Sequence, residues 1–249
     1  MLAFFFILNK LKFLITLIFT LAISKDYISD EKIIFFNDLK KNIHVNESLN
    51  WNIVDIDGNV TISNYKSKYF RIPAIKVEII DSVNYLYLKK AIVNVKDHVN
   101  FMQDSYLKVS DSLHYGLGDF YDKINLVYYD TYQYLDLPFI NDRDYIARTN
   151  IYDNENNIRL NWELLSIKYK YYYNVKDYEF QKNSLFIEDG FGYWNLERID
   201  NYITKATYVI YLNPKGWIPS FVINMSNRIV VPNTVKNMIK EAKRLEKLD

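Results

Sequence analysis

The residues that could perform catalysis are few and scattered in this sequence. The three histidines, His44, His98 and His114, lie in separate segments without the spacing of metal ligands, and we predict that each is a surface residue. The chain has no cysteine, which excludes disulfides, thiol catalysis and thiolate metal sites. The "GLG" at 116–118 lacks the third glycine of a dinucleotide-binding loop. We therefore expect no catalytic residues, no metal and no cofactor, and the missing chemistry favours binding over catalysis.

The elements around these residues are predicted from hydrophobic periodicity. A hairpin turns at Asp57-Gly58, a helical period covers 94–116, and strand follows strand from about 123 to 212. No strands alternate regularly with helices, so we expect an antiparallel sheet. These features predict one α+β domain over 25–249.

The C-terminal stretch predicts a long helix with an apolar stripe. Phe221, Met225 and Ile229 recur at helical spacing near its start, and a second apolar stripe follows. Pro232 should kink or break this helix, because proline cannot donate to the helical hydrogen bonds. From the residues alone, the helix could cover an ordinary filled core or form the roof of a ligand chamber.

The N-terminus predicts export. Lys10 and Lys12 precede an apolar run at 13–23 of signal-peptide length, and small residues follow at its end. We therefore predict that residues 1–24 are a cleaved signal peptide and that the protein is periplasmic or secreted. The alternative is an uncleaved membrane anchor over residues 2–23, which each internal lysine would oppose by about 2.5–3.5 kcal/mol.

The charge of the chain bears on its partners. The formal net charge is +1, so the protein has no global field that would attract nucleic acid. We expect no nucleic-acid partner and a monomeric protein.

Two motifs in the second half resemble a known family. The first is "YYDTYQYLDLPFINDRDYIART" at 128–149, with Pro138, Phe139 and an Arg-Asp-aromatic element at 143–145. The second is "TYVIYLNPKGWIPSFVINMSNRIVVPNTVKNMIKEAKR" at 207–244, with its Gly-Trp-Ile-Pro turn at 216–219. Together they resemble the START family, the steroidogenic-acute-regulatory-protein-related lipid-transfer domains.

The resemblance implies a helix-grip fold, in which a curved antiparallel sheet wraps around a long C-terminal helix and leaves an internal apolar tunnel. It implies one lipid or sterol-like ligand, which the protein would carry between membranes through transient contact with their surfaces. The competing interpretations are an enzyme of the same fold acting on an apolar substrate, similar to the cyclases, and a lipid-sensing interaction module.

The resemblance also implies an acid–base pair inside the tunnel. Asp130 occupies the acidic position, and Arg148 is the basic candidate, although it lies one residue before the usual arginine, where this chain has Thr149. A one-residue offset turns a side chain to the other face of a strand, and a β-bulge would restore it. The alternative is that both Asp130 and Arg148 are surface residues.

Six further residues are predicted to contact the ligand. They would belong to the roof, the mouth and the wall of the tunnel, in that order: Phe221, Met225 and Ile229; Trp217; Trp194 and Tyr208. Contact of Trp217 with a membrane is as compatible with the sequence as packing of the turn, and the two wall aromatics could instead belong to an ordinary core.

Overall fold

The computed structural model describes residues 37, 40, 49–67, 72–102, 105–117, 127–137, 140–174, 179–216 and 218–249. The predicted signal peptide, the start of the predicted domain at residue 25, Pro138, Phe139 and Trp217 lie outside these residues. The residues from Lys40 to Asp249 form one compact unit. No helix in the described part of the chain has the length and hydrophobicity to span a bilayer.

The main element is a ten-stranded sheet in the order β1-β2-β3-β10-β9-β7-β6-β5-β4. Neighbours along this order pair antiparallel, and the short β8 adds a parallel pairing to β6. The strands are β1 Asn52–Asp57, β2 Val60–Tyr65, β3 Ala74–Ser82, β4 Leu107–Leu117, β5 Val127–Leu135, β6 Arg143–Asn154, β7 Asn157–Leu164, β8 Leu185–Phe186, β9 Gly190–Arg198 and β10 Ile203–Leu212.

Helices lie on both sides of this sheet. They are α1 Tyr85–Val93, α2 His98–Phe101 after a 3₁₀ turn at Val95–Asp97, α3 Ile167–Asn174, α4 Ser220–Met225 and α5 Val231–Glu246. A π-helical turn, Ser226–Val230, joins α4 directly to α5. The buried stripe of α5, which includes Val235, Ile239 and Ala242, packs with α1 and the inner face of the sheet in one hydrophobic core. The predicted α+β class and helix-grip architecture are confirmed.

The closing helix differs from its prediction at Pro232. The chain stays helical through this residue, which lies in the first turn of α5, where proline is tolerated. The irregularity lies just before it, where the N–H of Val231 donates to the carbonyl of Ser226, five residues back. The π turn therefore takes the place of the predicted kink or break.

The predicted helix over 94–116 was wrong in its second half. Among the described residues of this stretch, only Val95–Phe101 is helical, and Leu107–Leu117 forms β4. Leu107, Val109 and Leu113 stand at odd positions, which is the two-residue period of a strand. Helices α1 and α3 were not predicted.

Candidate ligand-binding cavity

Two adjoining cavities lie between the inner face of the sheet and the closing helix. The main cavity has a volume of about 190 Å³ and the side cavity about 130 Å³. Leu135, Ile210, Leu212, Val230 and Val231 border both of them. A water molecule needs only about 10–15 Å³, and voids larger than a water are rare in protein interiors. The helix therefore covers a chamber, which decides against an ordinary filled core.

The wall of the main cavity is largely apolar and aromatic. Trp194 and Tyr208, both predicted wall residues, line it, and their rings stack with centroids 4.3 Å apart. The Trp162 ring lies close to Gly192, where an added Cβ would lie 2.7 Å from the indole and 2.0 Å from the carbonyl oxygen of Val209. Glycine at this position lets the indole lie against the strand.

The roof of the chamber differs from the prediction. Met225 lines the side cavity, as expected, but Phe221 and Ile229 are 56% and 53% exposed, so their predicted place in the roof is wrong. The row that lines the cavities is Val222, Ser226 and Val230, one residue later in sequence. Each residue advances the side chain by about 100° around a helix. Because apolar residues are dense at 221–223, the pattern alone could not select between adjacent rows.

Polar side chains of β5 and β6 also face the main cavity. Thr131 and Gln133 project from β5, and Tyr145 and Thr149 from β6. The hydroxyl of Tyr145 donates a hydrogen bond to the side-chain carbonyl of Gln133, its direct partner in the strand register. Burial raises the pKa of the Tyr145 and Tyr208 hydroxyls above the usual range, so both are neutral. This part of the wall can form hydrogen bonds without carrying charge.

His98 is a wall residue that the sequence analysis missed. It is 5% exposed and lines the main cavity, so its predicted place on the surface is wrong. Its Nε2 lies 3.2 Å and 3.0 Å from the carbonyls of Ala91 and Ile92 and donates to them. Burial lowers the pKa of His98 to about 4, so the ring is neutral at neutral pH. The spacing of His98 from buried Val95, three residues earlier, is the helical signal that could have revealed it.

Asp130 and Arg148 form an ion pair, but not inside the chamber. The Nε and Nη2 of Arg148 donate to the two carboxylate oxygens of Asp130 at 2.7 Å and 2.8 Å. The hydroxyl of Tyr173 donates to the same carboxylate at 2.6 Å. Asp130 is fully buried, whereas the Arg148 side chain is 28% exposed. The guanidinium carbon also lies 5.4 Å from the ring centroid of Tyr169, within the range of a cation–π contact.

The strand register places this pair on the outer face of the sheet. Asp130 pairs with Arg148 directly, without a bulge between β5 and β6. Their sequence neighbours Thr131 and Thr149 line the main cavity, and successive side chains of a strand point to opposite faces. The prediction that the pair lies inside the tunnel is therefore wrong. The one-residue offset of Arg148 therefore turns its side chain to the outer face of the sheet.

A second buried charge lies on the same outer face. Asp144 is fully buried, forms an ion pair with Lys170 and accepts a hydrogen bond from the hydroxyl of Tyr132 at 3.1 Å. Lys170 belongs to α3, which also carries Tyr173. The Lys170–Asp144 ion pair and the hydrogen bond from Tyr173 to Asp130 therefore attach α3 to the outside of β5 and β6.

Arg143 borders the side cavity, but its guanidinium is occupied by backbone carbonyls. It donates to Pro214 at 2.7 Å, to Lys215 at 3.2 Å and to Asn141. These bonds hold the turn before the closing helix, where Gly216 has a φ of +69°. Nowhere in the described ranges do three His, Asp or Glu side chains group as metal ligands would.

The fold is supported by similarity to solved structures and not by sequence comparison. No family model matches the sequence, and curated proteins gave no match. Human STARD10 matches with a TM-score of 0.64 at 14% identity, over 88% of this chain and 82% of that chain. The STAR-related lipid transfer protein of Xanthomonas axonopodis matches at 0.59 and 15% identity, over 78% and 98%. Human StAR-related lipid transfer protein 5 matches at 0.57 and 13% identity, over 86% and 99%. The chain has a START-like fold, as its two motifs predicted.

Proposed function

We propose that the protein binds one lipid or other apolar molecule in the main and side cavities and carries it between membranes. The observation that supports this most directly is the chamber between the sheet and α5, whose wall is mainly apolar. Apolar concave sites with a few convergent polar groups are typical of small-molecule binding. The structural relatives that are named as lipid transfer proteins support the same interpretation.

The energetics explain why such a carrier would be useful. Taking a 16-carbon chain into water costs on the order of 12 kcal/mol at roughly 0.8 kcal/mol per methylene. A chamber that shields the chain removes most of this barrier.

The test is to identify what the chamber holds. The full chain is purified and analysed by native mass spectrometry, and its bound molecules are extracted and identified. Ala147 faces the main cavity, so Ala147→Leu should reduce the bound fraction by filling the space. Gln181→Leu alters an exposed side chain and serves as the control. A parent protein that is empty, and takes up no lipid from labelled vesicles, would contradict the proposal.

An enzyme of the same fold is the second candidate. It is favoured by the hydrogen-bonding groups that face the main cavity, which include Gln133, Tyr145 and His98. An enzyme would return the bound molecule chemically changed, whereas a carrier returns it unchanged. A lipid-sensing module would hold one ligand tightly without transferring it between vesicles. Incubation with recovered ligand and acceptor vesicles separates the three.

We also propose transient contact with membrane surfaces by a monomer that does not bind nucleic acid. Two apolar side chains on the solvent side of the helical segment before α5, Phe221 and Ile229, are more than half exposed and are available to enter the lipid interface. Replacing both with Ser should reduce vesicle-to-vesicle transfer more than binding at equilibrium, if contact with the membrane limits the rate.

Export through a cleaved signal peptide is the remaining proposal. It rests on the sequence pattern of residues 1–24. N-terminal sequencing of the natively expressed protein should find Lys25 first. Retention of the segment in the membrane fraction would favour the anchor over residues 2–23, and retention in a soluble cytosolic form would exclude export.

A further inference from the structure

The mainly apolar wall of the main cavity contains several polar groups, but none of the described residues that line it carries a charge at neutral pH. Within the described part of the chain, His98 is the only ionisable nitrogen base on the main cavity, its Nε2 is held by two carbonyls, and no carboxylate lines either cavity. The guanidinium of Arg143 at the side cavity is bound to backbone carbonyls. A charged ligand group in the main cavity would thus lose its hydration without gaining a counter-charge beside it.

The uncharged polar groups, in contrast, have unused bonding capacity. The Tyr145 hydroxyl donates to the carbonyl oxygen of the Gln133 carboxamide. The amide nitrogen of Gln133 has no hydrogen-bond partner among the residues that the structure describes. The hydroxyl of Tyr208 likewise has no hydrogen-bond partner in the described ranges, and Tyr145 lies close enough to affect its pKa. A primary amide has two donors and one carbonyl acceptor, and a phenol can donate and accept.

These groups form one site on the wall. Gln133 and Tyr145 are opposite each other on β5 and β6, and Tyr208 of β10 lines the same cavity near Tyr145. A polar ligand atom that forms hydrogen bonds with these groups is therefore favoured over an apolar atom at the same place.

We propose that Gln133, Tyr145 and Tyr208 form a recognition site for one uncharged hydroxyl or carbonyl group on an otherwise apolar ligand. The inference rests on the proposed binding function and specifies the ligand class as a neutral, singly polar lipid rather than a fatty acid or another charged lipid. The hydrocarbon part occupies the remaining apolar volume of the main and side cavities.

The test compares three ligands with equal chain length. Radiolabelled hexadecanol, palmitate and hexadecane are offered from phosphatidylcholine vesicles at pH 8, and the amount bound to the full chain is measured for each. The parent protein should bind hexadecanol at least tenfold more strongly than palmitate. Gln133→Leu should weaken hexadecanol binding about tenfold, leave hexadecane unchanged and so remove the preference for the alcohol over the alkane. Gln181→Leu, the same substitution at an exposed position, should change none of these values.

The outcomes separate this inference from the proposed function. Uptake of all three ligands with no preference for the alcohol, or a preference for palmitate, would overturn the inference and leave apolar binding intact. Uptake of none would overturn both. If Gln133→Leu does not fold, Tyr145→Phe removes a single oxygen and should weaken hexadecanol binding selectively. The ranking of ligands by the parent protein needs no variant.

Discussion

The two faces of the β5–β6 strand pair differ in the polar side chains that they carry. On the outer face, Asp130 and Asp144 are fully buried, and each is paired with a cation. On the inner face, Thr131 and Gln133 contribute only neutral groups to the cavity wall. Residues adjacent in sequence therefore lie in opposite electrostatic environments, because the strand alternates its side chains.

This difference shows where the fold can accommodate charge. The Arg148 guanidinium on the outer face is partly exposed and contacts Asp130 and the ring of Tyr169, so its charge is both paired and in reach of water. A charge in the wall of the main cavity would have no charged partner among the described residues that line it. The separation leaves the described wall of the main cavity without a charged side chain, while the Lys170–Asp144 ion pair attaches α3 to the outer face of the sheet.

The largest expected effect comes from breaking the outer pair. Arg148→Met leaves Asp130 fully buried with the Tyr173 hydroxyl but without its counter-charge. We expect the free energy of unfolding to fall by about 3–5 kcal/mol, the range for losing one partner of a buried pair. Urea denaturation measures it, and ligand choice by the folded fraction should stay unchanged.

The exposed ion pair between Lys236 and Asp57 provides the control. Its side chains are 40% and 67% exposed, so Lys236→Met should cost less than about 1 kcal/mol. Equal, near-zero effects of the two variants would mean that the outer face does not depend on its charges. An altered ligand preference in Arg148→Met would mean that the two faces are not independent.

The next effect is the pH dependence due to His98 on the inner side. Burial holds its pKa at about 4 in the folded protein, below the unfolded value of about 6.5. The unfolded chain therefore binds the proton first as pH falls. The contribution to stability is complete above pH 6.5 and decreases by about 3 kcal/mol between pH 6.5 and 4.

Comparison of the parent with His98→Gln isolates this contribution, because glutamine retains a donor for the carbonyls of Ala91 and Ile92. Urea denaturation at several pH values should show a steeper loss of stability for the parent than for the variant. Parallel curves would indicate that His98 titrates normally and is not buried against the chamber.

Two buried alanines distinguish the empty inner space from packed core. Ala147 lines the main cavity, whereas Ala206 is 1% exposed within the hydrophobic core and does not border either described cavity. Ala206→Leu should destabilise the protein by about 1–3 kcal/mol through overpacking. Ala147→Leu should have a smaller effect, within about 1 kcal/mol, while lipid uptake decreases several-fold. Thermal denaturation and vesicle uptake give the two values, and a larger loss of stability for Ala147→Leu would contradict an open chamber.

The smallest effect is kinetic and concerns the roof. Pro232 follows the π turn and cannot donate a backbone hydrogen bond. In Pro232→Ala the restored N–H should favour a regular helix and slow ligand exchange, with equilibrium binding nearly unchanged. Stopped-flow release of a fluorescent lipid measures the rate. An unchanged rate would mean that the π turn does not take part in opening.

Several features of the site could be predicted from the sequence. The motifs around Asp144 and Gly216 predicted the fold, and the aromatic residues Trp194 and Tyr208 were correctly placed on the wall. The roof was missed by one residue because Val222 and Ile223 make the apolar pattern of α4 too broad to define one face. The burial of His98 was missed because α1, whose Ala91 and Ile92 carbonyls bind the ring, was not predicted.

The sequence by itself determined most strands of the second half, the closing helix and the placement of Asp130 and Arg148 on consecutive strands, because these depend on local periodicity and motifs. It did not determine β4 or the order of strands in the sheet. Only the tertiary structure decided which face of the sheet the pair occupies. That choice depends on the unbulged register of β5 and β6 and on α3 covering the outer face. The same packing decided that α5 leaves a cavity above the inner face, since empty volume arises from how distant elements meet and has no signature in any one segment.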